Sequence, residues 1–290
     1  MDGEALSRYE AVQGSLGERL RGSIDFHADP PCFILTPEER CPFLNGNGLC
    51  DLICELGKDS LCRICAEHPR FYNRLPDRME VGLGLCCEAA AHLILSRTEP
   101  FSLVELSPDD GEEIFEDTFT AQVFQMREGL LAILCDRSRP LNERIRHGLA
   151  CFDIDLTEEN HLFQSYAVAG ELLKGMERLD PAWDEYLDAL SNVSSSPLHE
   201  LDGEEGIAFE QLLCYFVYRY FATEADGRDR IPEIRFLMAV FSVSVIHALH
   251  RTLGGGFPLL CEISRMYSSE VEYSEENMET LMDEIEATLY

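Results

Sequence analysis

Across 290 residues no run approaches the roughly 18 consecutive apolar residues that a membrane-spanning helix needs. The longest apolar stretch, Phe236 to Ile246, covers 11 residues, includes Ser242 and Ser244 and is bracketed by Arg235 and His247, so a buried core helix is expected there. The start Met1-Asp2-Gly3-Glu4-Ala5 has neither the cationic opening nor the apolar region of a secretory signal, and a cytoplasmic location is expected. Positive charge is scarce as well. Lys plus Arg number 23 against 54 Asp plus Glu, a formal net charge of −31, and such a field repels a phosphate backbone. Nucleic acid is therefore not an expected partner, nor is a membrane. Gly 20 and Pro 13 are too few for a low-complexity chain. With 46% hydrophobic and 27% charged residues, the composition is that of a globular protein long enough to bury a core.

Cysteine is present but too sparse for a disulfide scaffold: 12 residues are about 4% of the chain, against roughly 8–10% for that class. In a reducing compartment such thiols act as ligands, redox groups or plain core. Eight of them, Cys32, Cys41, Cys50, Cys54, Cys62, Cys65, Cys86 and Cys87, fall within the first 87 residues. The other four, Cys135, Cys151, Cys214 and Cys261, sit singly in helical patterns and read as packing residues. Charge divides along a similar line. Residues 1–100 carry 10 basic and 16 acidic side chains, a balance of −6, and residues 101–290 carry 13 and 38, a balance of −25. The expected organisation is a cysteine-rich lobe over 1–100 and an acidic helical domain over 101–290.

The expected fold is mainly α, a helical body with an irregular cysteine-rich metal-binding lobe near the N-terminus. Ser107-Pro108-Asp109-Asp110 places a hydroxyl at an N-cap, proline at the first helical position and carboxylates in the first turn, so a helix is predicted over about 109–136. Further helical patterns cover about 140–153, 158–178, 181–191, 204–223, 229–252, 257–268 and 274–289, and Gly254-Gly255-Gly256 interrupts them. In the lobe, Thr36-Pro37-Glu38-Glu39 has the form of a capping box, Asn45-Gly46-Asn47-Gly48 is a turn, and two short helices are expected over 51–56 and 60–67. Glu80 to Leu85 alternates as one short strand would.

The spacings Cys41-x8-Cys50, Cys50-x3-Cys54, Cys54-x7-Cys62, Cys62-x2-Cys65 and Cys65-x20-Cys86 contain one Cys-x2-Cys knuckle. That knuckle suits two thiolates on one ion or cluster. Spacing leaves zinc and iron–sulfur both open, and a set of buried or reactive thiols remains the plain alternative. His68 is a further candidate nitrogen ligand.

The ordered segments Cys41-Pro42-Phe43-Leu44-Asn45-Gly46-Asn47-Gly48-Leu49-Cys50-Asp51-Leu52, Glu55 to Cys62 and Cys65-Ala66-Glu67-His68-Pro69-Arg70 closely resemble the cysteine-rich core of the flagellin lysine N-methylase family. Leu85-Cys86-Cys87-Glu88-Ala89-Ala90 is similar to that family's Ser-Cys-Pro-Glu-Ala-Ala, with Cys87 in place of proline. Tyr215 to Phe221 and Tyr267 to Asn277 continue the resemblance. It implies an enzyme that transfers methyl groups from S-adenosylmethionine to lysine side chains of flagellin and holds a [4Fe–4S] cluster. By the same resemblance the ligands are Cys41, Cys50, Cys65 and Cys86, with Cys62 in reserve. Family members usually carry another cysteine-rich stretch ahead of the region where this chain starts. A second reading is a truncated relative without enzymatic activity, whose thiolates hold zinc or cycle through disulfides. No Gly-x-Gly-x-x-Gly turn follows a strand pattern, so an ordinary doubly wound methyltransferase domain is not expected. The segment Glu270 to Asn277 is expected either to turn polar groups toward the site or to cap the last helix through Ser274.

Overall fold

Alternating apolar spacing of helical period dominates the chain, and a computed structural model resolves it as a mainly helical fold. The structure describes residues 1–37, 40–74, 78–106, 118–154, 165–191, 193, 201, 203–222 and 231–289. It divides into two compact units, Met1–Arg70 and Phe71–Tyr290.

The first unit begins with two helices, α1 (Gly3–Ala11) and α2 (Gly14–Gly22), followed by a two-residue antiparallel pair, β1 (Ile24–Asp25) with β2 (Cys32–Phe33). Two short helices follow, α3 (Asp51–Leu56) and α4 (Arg63–Glu67). Gly57 stops α3 at φ 85, a left-handed conformation that glycine adopts without a Cβ clash. The small core consists of Ala5, Tyr9, Leu16, Leu20, Ile24, Phe43, Leu52 and Cys62. The capping-box pattern at Thr36 makes no helix among the described residues. The Thr36 N–H donates to the Arg40 carbonyl at 2.9 Å and closes a turn ahead of Cys41-Pro42, while Glu38 and Glu39 lie outside the described residues.

The second unit opens with a two-stranded sheet of β3 (Arg70–Arg74) and β4 (Met79–Leu83), then α5 (Glu88–Leu95). Gly82 lets the strands close up, because a Cβ there would stand 2.3 Å from the Phe71 ring. Among the described residues the unit continues with eight helices: α6 (Thr118–Leu134), α7 (Leu141–Ala150), α8 (Tyr166–Gly175), α9 (Trp183–Leu190), α10 (Gly203–Tyr220), α11 (Ile231–Thr252), α12 (Phe257–Tyr267) and α13 (Glu275–Ala287). A π-helical stretch, Ser268–Glu272, joins α12 to α13. The predicted start of α6 at Ser107 lies outside the described residues.

The 22-residue α11 is long and apolar enough to cross a membrane by length and composition alone. It is instead packed on nearly every side, touching α7, α8, α9, α10, α12 and α13. This burial explains why its sequence carries no polar face. The boundary between the units lies near residue 70, whereas the composition changes near residue 100. The segment between belongs physically to the helical body: α5 packs on α10 and α12, and Tyr218 of α10 donates to the Val81 carbonyl of β4 at 3.3 Å.

Candidate functional site

The Cys41–Cys50 hairpin and the Cys62–Cys65 knuckle of the first unit are held by residues of α1, its cap and α2. Between Cys41 and Cys50 the chain forms a small hairpin, with the Gly48 N–H donating to the Asn45 carbonyl at 2.9 Å and a bridge between Leu44 and Cys50. The Asn45 side chain closes this turn by accepting from the Asn47 and Leu49 amides and donating to Asp51 at 3.0 Å. Arg19 of α2 then ties both ends of the hairpin at once. It donates to Asp51, the residue after Cys50, at 2.6 Å and to the carbonyl of Pro42, the residue after Cys41, and its guanidinium lies 5.0 Å from the Phe43 ring centroid.

The Cys62–Cys65 knuckle is anchored in the same way. Asp2 caps α1 by accepting from the Ala5 N–H at 2.9 Å, and its other oxygen accepts from the Arg63 N–H at 2.7 Å, at the first residue of α4. The Tyr9 hydroxyl accepts from the Cys62 N–H at 3.0 Å in the buried core. Cys62 is buried, Cys50 half-buried, and Cys41 and Cys65 exposed.

The thiols of this unit feel one another. The Cys65 thiol and backbone N–H both hydrogen-bond to the Cys62 sulfur, and the thiol bond is the larger effect in drawing Cys62 down to about 6. Cys65, the donor of that bond, is raised, with burial and then the charges of Cys62, Cys41 and Cys50 pushing the same way. Cys41, Cys50, Cys62 and Cys65 thus occupy one neighbourhood of one compact unit. Among the described residues, however, no three His, Cys, Asp or Glu side chains stand together closely enough to hold a metal ion as they lie. The donor set suits a soft metal or an iron–sulfur cluster in its chemistry, and the sulfurs must still draw together to ligate one.

Cys86 lies in the second unit, in a buried polar network. The Tyr215 hydroxyl of α10 accepts from the Leu85 N–H at 3.3 Å and donates to the Glu272 carboxylate, with its oxygens at 3.0 and 3.1 Å. Arg219, one turn on, donates to the same hydroxyl at 2.5 Å and pairs with Glu272 at 3.3 Å. Its guanidinium is surrounded by aromatic rings, those of Phe71, Tyr220 and Tyr273 standing 4.8, 5.1 and 5.0 Å away. Cys86 is hydrogen-bonded to Tyr273, and burial raises its thiol above the ordinary range. Three stretches far apart in sequence, 85–90, 215–221 and 267–277, therefore meet in one place, and they are stretches on which the sequence resemblance described above rests.

In the polar segment 270–277, Glu270, Glu272, Ser274 and Asn277 are buried, while Tyr273, Glu275 and Glu276 are exposed. Glu270 accepts from the Leu179 and Asp180 amides at 3.0 and 2.7 Å, and Ser274 caps α13 by accepting from the Asn277 N–H at 3.3 Å. The helix cap expected of this segment is present at Ser274, and Glu272 bonds Tyr215 and Arg219 in the buried network.

Fold and thiols together define a mainly helical protein with a cysteine-rich N-terminal unit. Among characterised proteins the chain is similar to the lysine-N-methylases of Salmonella typhimurium and Salmonella choleraesuis, with 28% identity to each over 97 residues. The match covers 33% of this chain and spans 23% of each relative's length. No family model and no solved structure matches the chain.

The anchors Asp2, Tyr9 and Arg19 were not among the residues singled out in the sequence. Their signals are weak: Asp2 precedes a helix as a capping aspartate does, but nothing in cysteine spacing points back to it. Arg219 lies within the stretch 215–221 quoted from the sequence, but its pairing with Glu272 is seen only in the fold.

Proposed function

We propose that the chain is a protein-lysine N-methyltransferase that uses S-adenosylmethionine and modifies flagellin in the cytoplasm. Its first unit would hold a [4Fe–4S] cluster. The observation that carries this reading is the convergence of the stretches 85–90, 215–221 and 267–277 on Tyr215, Arg219 and Glu272. The partial similarity to lysine-N-methylases supports it. Cys41, Cys50 and Cys65 are the proposed cluster ligands of this unit, with Cys62, hydrogen-bonded to Cys65, in reserve; Cys86, the further ligand that the resemblance implies, lies in the second unit and is hydrogen-bonded to Tyr273.

S-adenosylmethionine supplies an electrophilic methyl group when bound. The lysine nitrogen, an ammonium with a pKa near about 10.4, must lose its proton before it can attack, which calls for a site shielded from water. The balance of −25 over residues 101–290 favours the approach of a lysine-bearing segment through long-range attraction. Incubating the cluster-loaded protein with flagellin and S-adenosylmethionine should raise the intact mass of flagellin in steps of one methyl group. An unchanged flagellin mass would contradict the enzymatic reading. The second reading, a thiolate protein that holds zinc or cycles through disulfides without catalysis, draws on the same cysteines.

A further inference from the structure

The sulfurs of Cys135 and Cys214 lie 3.9 Å apart in the second unit, within hydrogen-bonding reach. They belong to the cysteines that the sequence assigns to packing, and they take no part in the proposed cluster. Cys135 follows the last residue of α6 and is half-buried, and Cys214 sits in the middle of α10 and is buried. A carboxylate holds the two elements together beside them. Glu210, one turn before Cys214, accepts from Arg137 at 2.8 Å and pairs with Arg144 at 2.7 Å. Arg144 also donates to the Leu134 carbonyl, so the end of α6 is clamped to the turn of α10 that presents Cys214.

We propose that Cys135 and Cys214 form a reversible intramolecular disulfide, a modification site for hydroperoxides that goes beyond the methylase reading and is independent of it. A disulfide needs an S–S separation of about 2.05 Å, so the sulfurs must approach by about 2 Å. Cys135 is placed at the end of its helix: its N–H still donates to the Leu131 carbonyl at 3.0 Å, but its own carbonyl accepts from the Arg137 N–H at 2.9 Å in the turn that follows, whereas Cys214 is held mid-helix, so the approach falls to the Cys135 side chain.

The chemistry balances with a peroxide as oxidant. The Cys135 thiolate attacks one peroxide oxygen, the O–O bond breaks, and the leaving hydroxide takes a proton to become water, which leaves Cys135 as the sulfenic acid. The Cys214 sulfur then attacks the Cys135 sulfur. The S–S bond forms, the S–O bond breaks, and hydroxide departs with the Cys214 proton as a second water. Two thiols thereby lose two electrons, and one peroxide becomes two waters. The pair is graded for these roles. The hydrogen bond to Cys214 draws Cys135 down to about 7, helped by the Phe101 backbone and Arg137 and opposed by burial and Glu210. The same bond and full burial raise Cys214 well above the ordinary thiol range despite nearby Arg144.

The test uses the full chain treated with hydrogen peroxide, then alkylated under denaturing conditions, digested with trypsin and weighed. Peptide 128–137 contains Cys135 and peptide 179–219 contains Cys214, each as its sole cysteine. The expected product is these two peptides joined, lighter by two hydrogens, and separated again by dithiothreitol. In Cys214→Ser the link should vanish and Cys135 should be trapped by dimedone as the sulfenic acid. The proposal is overturned if both thiols remain alkylatable after peroxide, or if Cys135 pairs with cysteines of residues 1–87 in preference to Cys214.

Discussion

His247 of α11 is 1% exposed, and its ring meets Phe209 edge-on with centroids 4.7 Å apart. Its Nδ1 has no hydrogen-bond partner among the described residues. Burial, reinforced by the charges of Arg251 and His250, draws its pKa from 6.5 down to about 4. In the unfolded chain the ring takes a proton near about 6.5. Between those values the unfolded state binds more protons than the folded one, so stability falls as the pH drops from 6.5 toward 4, by up to about 3 kcal/mol. Replacing His247 by Leu should leave the urea midpoint near neutrality little changed and raise it above wild type at about pH 4.5. Parallel pH profiles for the two proteins would contradict this assignment. The sequence offers this histidine only as the edge of an apolar run; its burial depends on α10 and α11 coming together.

At the scale of elements, a buried ion pair ties β4 to α6. Arg127 is 1% exposed and Glu80 6%, and the guanidinium donates to both carboxylate oxygens at 2.7 and 2.5 Å. Removing one partner strands the other charge away from water, a loss of about 3–5 kcal/mol. Glu80→Ala should therefore lower the unfolding free energy by about that amount in urea titration, with far more effect than Ala at the exposed Glu143 on α7; equal effects would show that the pair does not join these elements. The helices from α7 onward were legible because their apolar residues recur at 3.6-residue period, as with Trp183, Leu187 and Leu190 of α9. The short helices α1, α2 and α5 were not. In α1 only Ala5 and Tyr9 are buried, too few to make a periodic signal, and the β3–β4 pairing depends on the unpatterned approach of Phe71 to Gly82.

For the molecule as a whole, the cysteines advertised their lobe by density and order, and the structure gathers Cys41, Cys50, Cys62 and Cys65 in one unit through contacts with Asp2, Tyr9 and Arg19. Those contacts were illegible because they link residues tens of positions apart through single side chains. Cys86, which the family resemblance places among the ligands, is bonded to Tyr273 within the second unit. The most direct test of a thiolate-held centre is metal and sulfide analysis of the anaerobically purified chain beside Cys62→Ser, Cys65→Ala, Cys86→Ser and Cys214→Ala. About four irons and four sulfides per chain are expected in wild type and Cys214→Ala, with loss of both in Cys65→Ala, and loss in Cys86→Ser or in Cys62→Ser identifies the fourth ligand. A wild-type protein that carries neither iron nor zinc, or variants that all retain the same metal, would contradict the account.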